Sequence, residues 1–443
     1  MTRSKLIHQT SPYARFLFSC LLVASVGCGS EDREEQTGDG DGDGDGDGDG
    51  DGLGDVRLDS GVATNPPIDG EPGDGNSYIW IANSQIGQVS KIDTATMEEV
   101  GRYWTREDGK GDPSRTSVSR TGNVAVANRA GGVVKISGDV GACPAGSSTG
   151  ADDVKKWPDP CVDWYLDTDY DSQRAIAWTS GEQDVEDGPI SNEKVWLAGE
   201  YKPAKPEELG PIGVKLIDGD TGNIENEIEF TLDIGERGFP YRAYGGAVDQ
   251  EGNFWFAPAF NESVIVRVSL EDMSVKQWAK PHFSYGFTVD GEGRPWTCGQ
   301  NIARFDPESG TWEVRTPDQV GGNFQIKEFD LGGCMVDSSK RLWAPVVLDV
   351  NKTKFGIAAL DTETLQAVTI IELPAHIHGV SIDFKEQVWG VTGGKSGSAL
   401  GTDAYRIDPD TEKFETFTGL TGAYTYSDMT GYALEQVWIP QIG

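Results

Sequence analysis

From Tyr78 onward the chain alternates apolar and polar residues in short runs, each broken by Gly, Asp, Asn or Pro. A period of two in short, turn-bounded runs predicts strands rather than helices. One run keeps a central Trp: "YIWIAN" at Trp80, "KVWLAG" at Trp196, "FWFAP" at Trp255, "PWTCG" at Trp296, "LWAPV" at Trp343, "VWGVT" at Trp389 and "VWIPQ" at Trp438. "VAVAN" around Ala125 fills the same slot without the Trp. A second run, Gly-x-x-apolar and usually then Asp, stands seven residues earlier: "GGAVD", "GFTVD", "GCMVD", "GVSID". A third ends in Asp, with Ser or Thr three residues on: "SKIDTAT", "KLIDGDT", "ARFDPES", "AALDTET", "YRIDPDT". A fourth alternating run follows each of these, as in "TWEVRT" and "KFETFT".

Four short strands per unit, repeated six or more times, predict an all-β fold, a β-propeller of four-stranded antiparallel blades. A lone four-stranded blade cannot cover both its faces, so blades stack around an axis and bury the Trp strands. The hairpin acid of the third run, Asp306 in "ARFDPESG", is expected to bond backbone N–H groups two residues on. Because the same acid recurs on every unit, it reads as scaffold rather than chemistry. The N-terminal unit lacks its first strand, and "YSDMTGYALE" near the C-terminus offers one, which closes the ring as seven blades. "QVWIPQ" then reads as a further second strand, and the alternative is an eight-bladed ring left incomplete.

The first thirty residues carry a different pattern. Arg3, Lys5 and Arg15 precede "FLFSCLLVASVG", which is too short and wrongly flanked for a membrane span and predicts a secretory signal over residues 1–27. "ASVGCGS" resembles a bacterial lipoprotein signal, with Cys28 the residue to be lipidated, although Ser25 stands where that family has Leu. Gly29 rather than Asp after the Cys implies, by the family's sorting rule, the outer membrane, facing the periplasm or the cell surface. Residues 28–76 follow as an acidic linker with alternating Asp and Gly from Asp39 to Gly52. Such a segment has no apolar surface to bury, and it is expected to be a disordered tether.

Charge narrows the partners. The chain has a net charge of -35, of which residues 29–77 hold 16 acids against Arg33 and Arg57. That leaves -24 on residues 78–443, which excludes nucleic acid and anionic lipid as partners. The membrane enters only through the lipid anchor.

Residues 139–193 interrupt the repeat with an acidic segment holding Cys143 and Cys161, read as a disulfide in an exported chain. Cys298 and Cys334, on neighbouring units, are either a cross-blade disulfide or two buried thiols. Asp167, Asp169 and Asp171 alternate in "DTDYDS" as candidate ligands for calcium or magnesium, against the simpler reading of a solvated acidic loop.

The remaining candidates come from the loops that enter each first strand. The residue before the Gly of the second run is Tyr244, Tyr285, Gly332, His378 or Thr430; two further back stand Arg242, Phe283, Asp330, His376 and Asp428. This set varies from unit to unit, as a binding site at a channel mouth would, and unlike the uniform hairpin acids.

"GNFWFAPAFNESVIVRV" and "GRPWTCGQNIARFDPESG" resemble propellers of the virginiamycin B lyase-like and NHL-repeat class, and "YIWIANSQIGQVSKIDTATMEEV" resembles the surface-protein YVTN repeat. The resemblance covers about residues 78–443. In the lyase family a metal is held by acidic residues after the aromatic strands and a His acts as base. Here those positions are Asn83, Gly199, Pro258, Gly299, Pro345 and Thr392, a departure from the family's Glu ligands. Two functions follow as expectations. One is a non-enzymatic module binding an extracellular or periplasmic glycan, peptide or protein at its channel mouth. The alternative is a divalent-metal lyase or hydrolase with His376 or His378 as base.

Overall fold

A computed structural model of the chain describes residues 78–138, 143–183, 188–205, 208–233, 242–259, 263–320, 324–393 and 401–437. The signal, Cys28, the Asp-Gly linker and Trp438 lie outside the described residues.

The strands form six antiparallel sheets arranged like propeller blades. Five follow one another along the chain, running from Pro113–Val118 to Val162–Leu166, Ser172–Trp178 to Ile224–Phe230, Gly245–Val248 to Val275–Lys280, Gly286–Val289 to Thr311–Arg315, and Glu328–Phe329 to Ala367–Leu373. The sixth holds the last four strands, Ile377–Ile382 to Phe414–Ala423, and continues into the first three, Tyr78–Asn83, Gln88–Asp93 and Glu99–Trp104. One pair, Asn83 opposite Ala423, makes that join.

Beyond Ala423 the chain lies along Tyr78–Asn83: the Tyr424 amide donates to the Ala82 carbonyl at 3.1 Å, and the Trp80 amide to Met429 at 2.9 Å. The C-terminal end thus supplies the missing inner edge of the N-terminal strands. The next stretch departs from the expected strand. Tyr432–Val437 is a short α-helix, in which Ala, Leu, Glu and Gln favour helix. The Asp428 carboxylate accepts the Gly431 and Leu434 amides at 2.8 and 3.2 Å and fixes its start.

The acidic segment 139–193 also joins the repeat. Within it Val162–Leu166 pairs with Val133–Ile136, and Ser172–Trp178 pairs with Lys194–Glu200. Cys143 and Cys161 are bonded, with Cα atoms 4.8 Å apart. Cys298 and Cys334 are bonded too, at 6.4 Å, and link neighbouring sheets.

Trp80, Trp196, Trp255, Trp296, Trp343 and Trp389 are each no more than 1% exposed, so the repeated Trp strand is core. Four of these rings are held by the Asp that closes the second repeated run. Trp255, Trp296, Trp343 and Trp389 donate their indole N–H to Asp249, Asp290, Asp337 and Asp383, six residues back, at 2.7–2.8 Å. The other oxygen of each carboxylate accepts the amide four residues on, for instance Arg341 to Asp337 at 2.8 Å. Each inner hairpin is therefore clasped to its Trp. Burial pushes the Asp290 and Asp383 carboxyls up, partly offset by the bonds they accept. The hairpin acids of the third run behave as expected: Asp306 accepts the Glu308 amide at 2.9 Å and the Ser309 hydroxyl at 2.7 Å.

Candidate functional site

The inner strands open where they crowd the propeller axis, and their glycines record how closely. A Cβ on Gly286 would stand 2.2 Å from the Gly332 carbonyl oxygen, and one on Gly379 would stand 2.3 Å from that of Thr425. Only Gly fits, so the preceding side chains are brought together from separate sheets.

Tyr244, Tyr285 and Tyr424 meet there. The Tyr244 hydroxyl donates to Tyr285 at 2.7 Å and bonds Tyr424 at 2.9 Å, and the Tyr285 and Tyr424 hydroxyls bond each other. Tyr426 packs beneath, its ring 5.7 Å from Tyr244 and 5.1 Å from Tyr285. The His378 ring lies 4.3 Å from Tyr424 and 5.4 Å from Tyr426. Three guanidinium groups face these rings. Arg115 stacks 3.3 Å over Tyr426 and also faces Tyr244, Arg174 lies 4.9 Å over Tyr244, and Arg129 lies 4.7 Å over Tyr424.

The electrostatics follow from burial and these cations. Burial pushes the Tyr244 phenol up to about 12, with Tyr424 adding to it and Arg115 and Arg174 opposing. Tyr285 is pushed well up, first by burial. Burial pushes Tyr424 up as well, but the Arg115 charge and its bonds with Tyr244 and Tyr285 outweigh it, and the net direction is down. Burial, followed by Arg115 and His376, brings His378 down to about 3, so this imidazole is neutral at ordinary pH.

Several buried polar atoms in this cluster have no hydrogen-bond partner: Nε and Nη2 of Arg115, the Tyr426 hydroxyl and Nε2 of His378. Arg115 is 1% exposed, and its Nη1 donates to the Ser114 carbonyl at 2.7 Å. No carboxylate pairs with it among the described residues.

The sequence candidates divide accordingly. Tyr244, Tyr285 and His378 belong to the cluster. Arg242 does not contribute a free guanidinium, because its Nε pairs with Glu200 at 3.0 Å and its Nη1 bonds the Gly210 carbonyl. His376 is held by Asp330 at 2.7 Å and by the Gly393 carbonyl at 2.9 Å. Phe283 is half-buried. Asp428, counted at the mouth from its sequence offset, stands instead at the finishing ends of the inner strands. There it starts the C-terminal helix and borders a cavity of about 30 Å³ lined by Ser117, Ile176, Val248, Val289, Met335 and Leu434. Thr430 bonds the Ile382 carbonyl at the same end.

The calcium candidates do not converge. Asp169 faces Lys215 at 3.9 Å, Asp171 faces Lys202 at 3.7 Å, and Asp167 accepts the Thr168 amide. No group of three His, Cys, Asp or Glu is placed to hold a metal among the described residues.

Arg115, Arg129, Arg174, Tyr424 and Tyr426 are absent from the sequence-derived set. The units of Arg115, Arg129 and Arg174 lack the Gly-x-x-apolar phrase that guided the count, and in the C-terminal stretch the count starts from Gly431, past Tyr424 and Tyr426. One signal was present: counting back from Ala125, which fills the Trp slot, Arg115 occupies the position that is Gly245 or Gly286 elsewhere.

No family model and no curated protein matches the chain. Among solved structures it is similar to a functionally unknown protein from Desulfotomaculum acetoxidans, at 10% identity and a TM-score of 0.50, covering 80% of this chain and 98% of that one. U3-55K aligns at 8% identity and a TM-score of 0.49, over 72% of this chain and 85% of its own. Dihydro-heme d1 dehydrogenase NirN aligns at 12% and 0.49, over 85% and 78%. The first likeness shows the fold alone, and the two at 0.49 carry no argument.

Proposed function

We propose that this chain is an exported, lipid-anchored propeller that binds a ligand through its channel mouth. Cys28 is the lipidated residue, residues 28–76 are the tether, and the ring counts seven blades, with 424–430 completing the N-terminal one. The observation that carries the binding role is the convergence of Arg115, Tyr244, Tyr285, Tyr424, Tyr426 and His378 from separate sheets onto one point of the axis. Scaffold recurs on every blade, whereas these residues differ from blade to blade. A glycan, peptide end or small metabolite presents groups that phenols and guanidiniums recognise.

The lyase or hydrolase reading would rest on His378, because both ring nitrogens of His376 are engaged, by Asp330 and by the Gly393 carbonyl. The test is a thermal-shift screen of glycans, peptides and small metabolites on the parent and on Tyr285→Phe and His378→Asn. The proposal expects compounds that raise the parent's melting temperature and leave both variants unmoved. Compounds that stabilise all three equally place binding elsewhere and end the channel-mouth reading.

A further inference from the structure

Resting on the channel-mouth reading, we propose that the ligand carries an oxyanion, a carboxylate, sulfate or phosphate group, which is received by Arg115, Tyr426 and His378. The argument begins with what these three lack. Arg115 is buried with Nε and Nη2 unbonded, and Tyr426 and His378 are buried with the hydroxyl and Nε2 unbonded. A buried polar atom without a partner is costly, and native interiors leave few of them. Here they are neighbours: Arg115 stacks on the Tyr426 ring at 3.3 Å, and the His378 ring is 5.4 Å from it.

One kind of partner can meet all three. A guanidinium only donates, and a phenol hydroxyl and one tautomer of a neutral imidazole can also donate. An acceptor serves them together. Nε and Nη2 of one guanidinium point as a fork that matches two oxygens of a carboxylate or a tetrahedral oxyanion. The charge argues the same way. Arg129 has Asp112 and Arg242 has Glu200, but no carboxylate answers Arg115 among the described residues. In a chain of net charge -35 an acid to pair with it would have been easy to supply. The tyrosine triad, by contrast, satisfies itself through its own hydroxyl–hydroxyl bonds and needs no ligand. Tyr424 is half-buried where Tyr426 and His378 are buried, so it lies nearer the surface than they do.

The test uses the full chain and simple probes. Isothermal titration calorimetry at constant ionic strength compares inorganic phosphate, sulfate and acetate with neutral glucose, on the parent, Arg115→Met and Arg115→Lys. Sodium is the counter-ion throughout, and sodium chloride holds the ionic strength constant. At least one oxyanion binds the parent with a stoichiometry of one. Arg115→Met loses about tenfold or more of that affinity, as expected for removing a charge-assisted pair. Arg115→Lys, which keeps the charge but not the fork, falls between. Arg115→Lys, which keeps the charge, carries the comparison if Arg115→Met does not fold. No oxyanion binding to the parent overturns the proposal, as does oxyanion binding indifferent to both Arg115 variants. Glucose or another neutral compound binding in a manner sensitive to Tyr285→Phe, with no oxyanion bound, overturns the oxyanion class while leaving the channel-mouth reading standing.

Discussion

The clasp between the hairpin Asp and the buried Trp is the part of the scaffold most open to a quantitative test, and Asp337→Ala is the sharpest perturbation of it. Asp337 accepts three bonds: the Trp343 indole at 2.8 Å, the Arg341 amide at 2.8 Å and the Arg341 Nε at 2.6 Å. Removal strands the buried Trp343 indole N–H and the half-buried Arg341 amide, at about 1–3 kcal/mol each. The Arg341 guanidinium, with a side chain 21% exposed, can turn to water and adds little. The expected loss is therefore about 2–6 kcal/mol in all. Trp343→Phe keeps an aromatic ring in the slot and deletes one of the two donors. In that background Asp337→Ala costs about 1–3 kcal/mol less than in the parent. Urea unfolding followed by tryptophan fluorescence reads both, provided the slope with denaturant is unchanged. A loss under about 0.5 kcal/mol for Asp337→Ala, the size of an ordinary surface change, refutes the clasp. An equal loss in both backgrounds refutes the specific link to Trp343.

Four further outcomes are expected. Cys298→Ser opens a crosslink spanning 36 residues and lowers stability by about 3–4 kcal/mol on a chain-entropy basis, read as a fall in the urea midpoint. Arg242→Leu breaks the ion pair with the buried Glu200 and costs about 3–5 kcal/mol in the same assay, while ligand binding survives in whatever fraction stays folded. Burial holds the Asp428 carboxyl up at about 6, above its ordinary ~4, so the folded state binds the extra proton between those values. Stability therefore falls as pH rises from about 4 to about 6, and Asp428→Asn flattens that slope in a pH series of unfolding curves. Cys28→Ser moves the protein from the membrane fraction to the soluble fraction, and unchanged fractionation sinks the anchor.

Periodicity made most of the scaffold legible. Trp strands, hairpin acids such as Asp306 and the Cys143–Cys161 disulfide stand where repetition or pairing placed them, and the Cys298–Cys334 bond settles an alternative the sequence left open. The six-residue step from Asp to Trp was also written in "GGAVDQEGNFW" and its echoes, but a bond between side chains is not visible in an alternation of polar and apolar residues. Repetition misled once. "YSDMTGYALE" reads as one strand, yet from Tyr432 it folds as a helix that runs into Gln436 and Val437, because Asp428 accepts its first amides. The site was half legible for a related reason. Tyr244, Tyr285 and His378 precede a glycine that the axis demands, so counting finds them. Arg115 stands in place of such a glycine, and Tyr424 and Tyr426 arrive from the far end of the chain through closure of the sheets. Only tertiary structure brings them to the same point.

The central claim is that the ligand sits at the mouth, and a crystal structure of the full chain with a compound from the thermal-shift screen tests it most directly. The account predicts density against Tyr424 and His378, with an acceptor oxygen within hydrogen-bond distance of Arg115 Nε or Nη2. Density confined to the outer strands, to the Asp167–Asp171 loop or to the cavity beside Leu434, with the mouth unchanged, would contradict it.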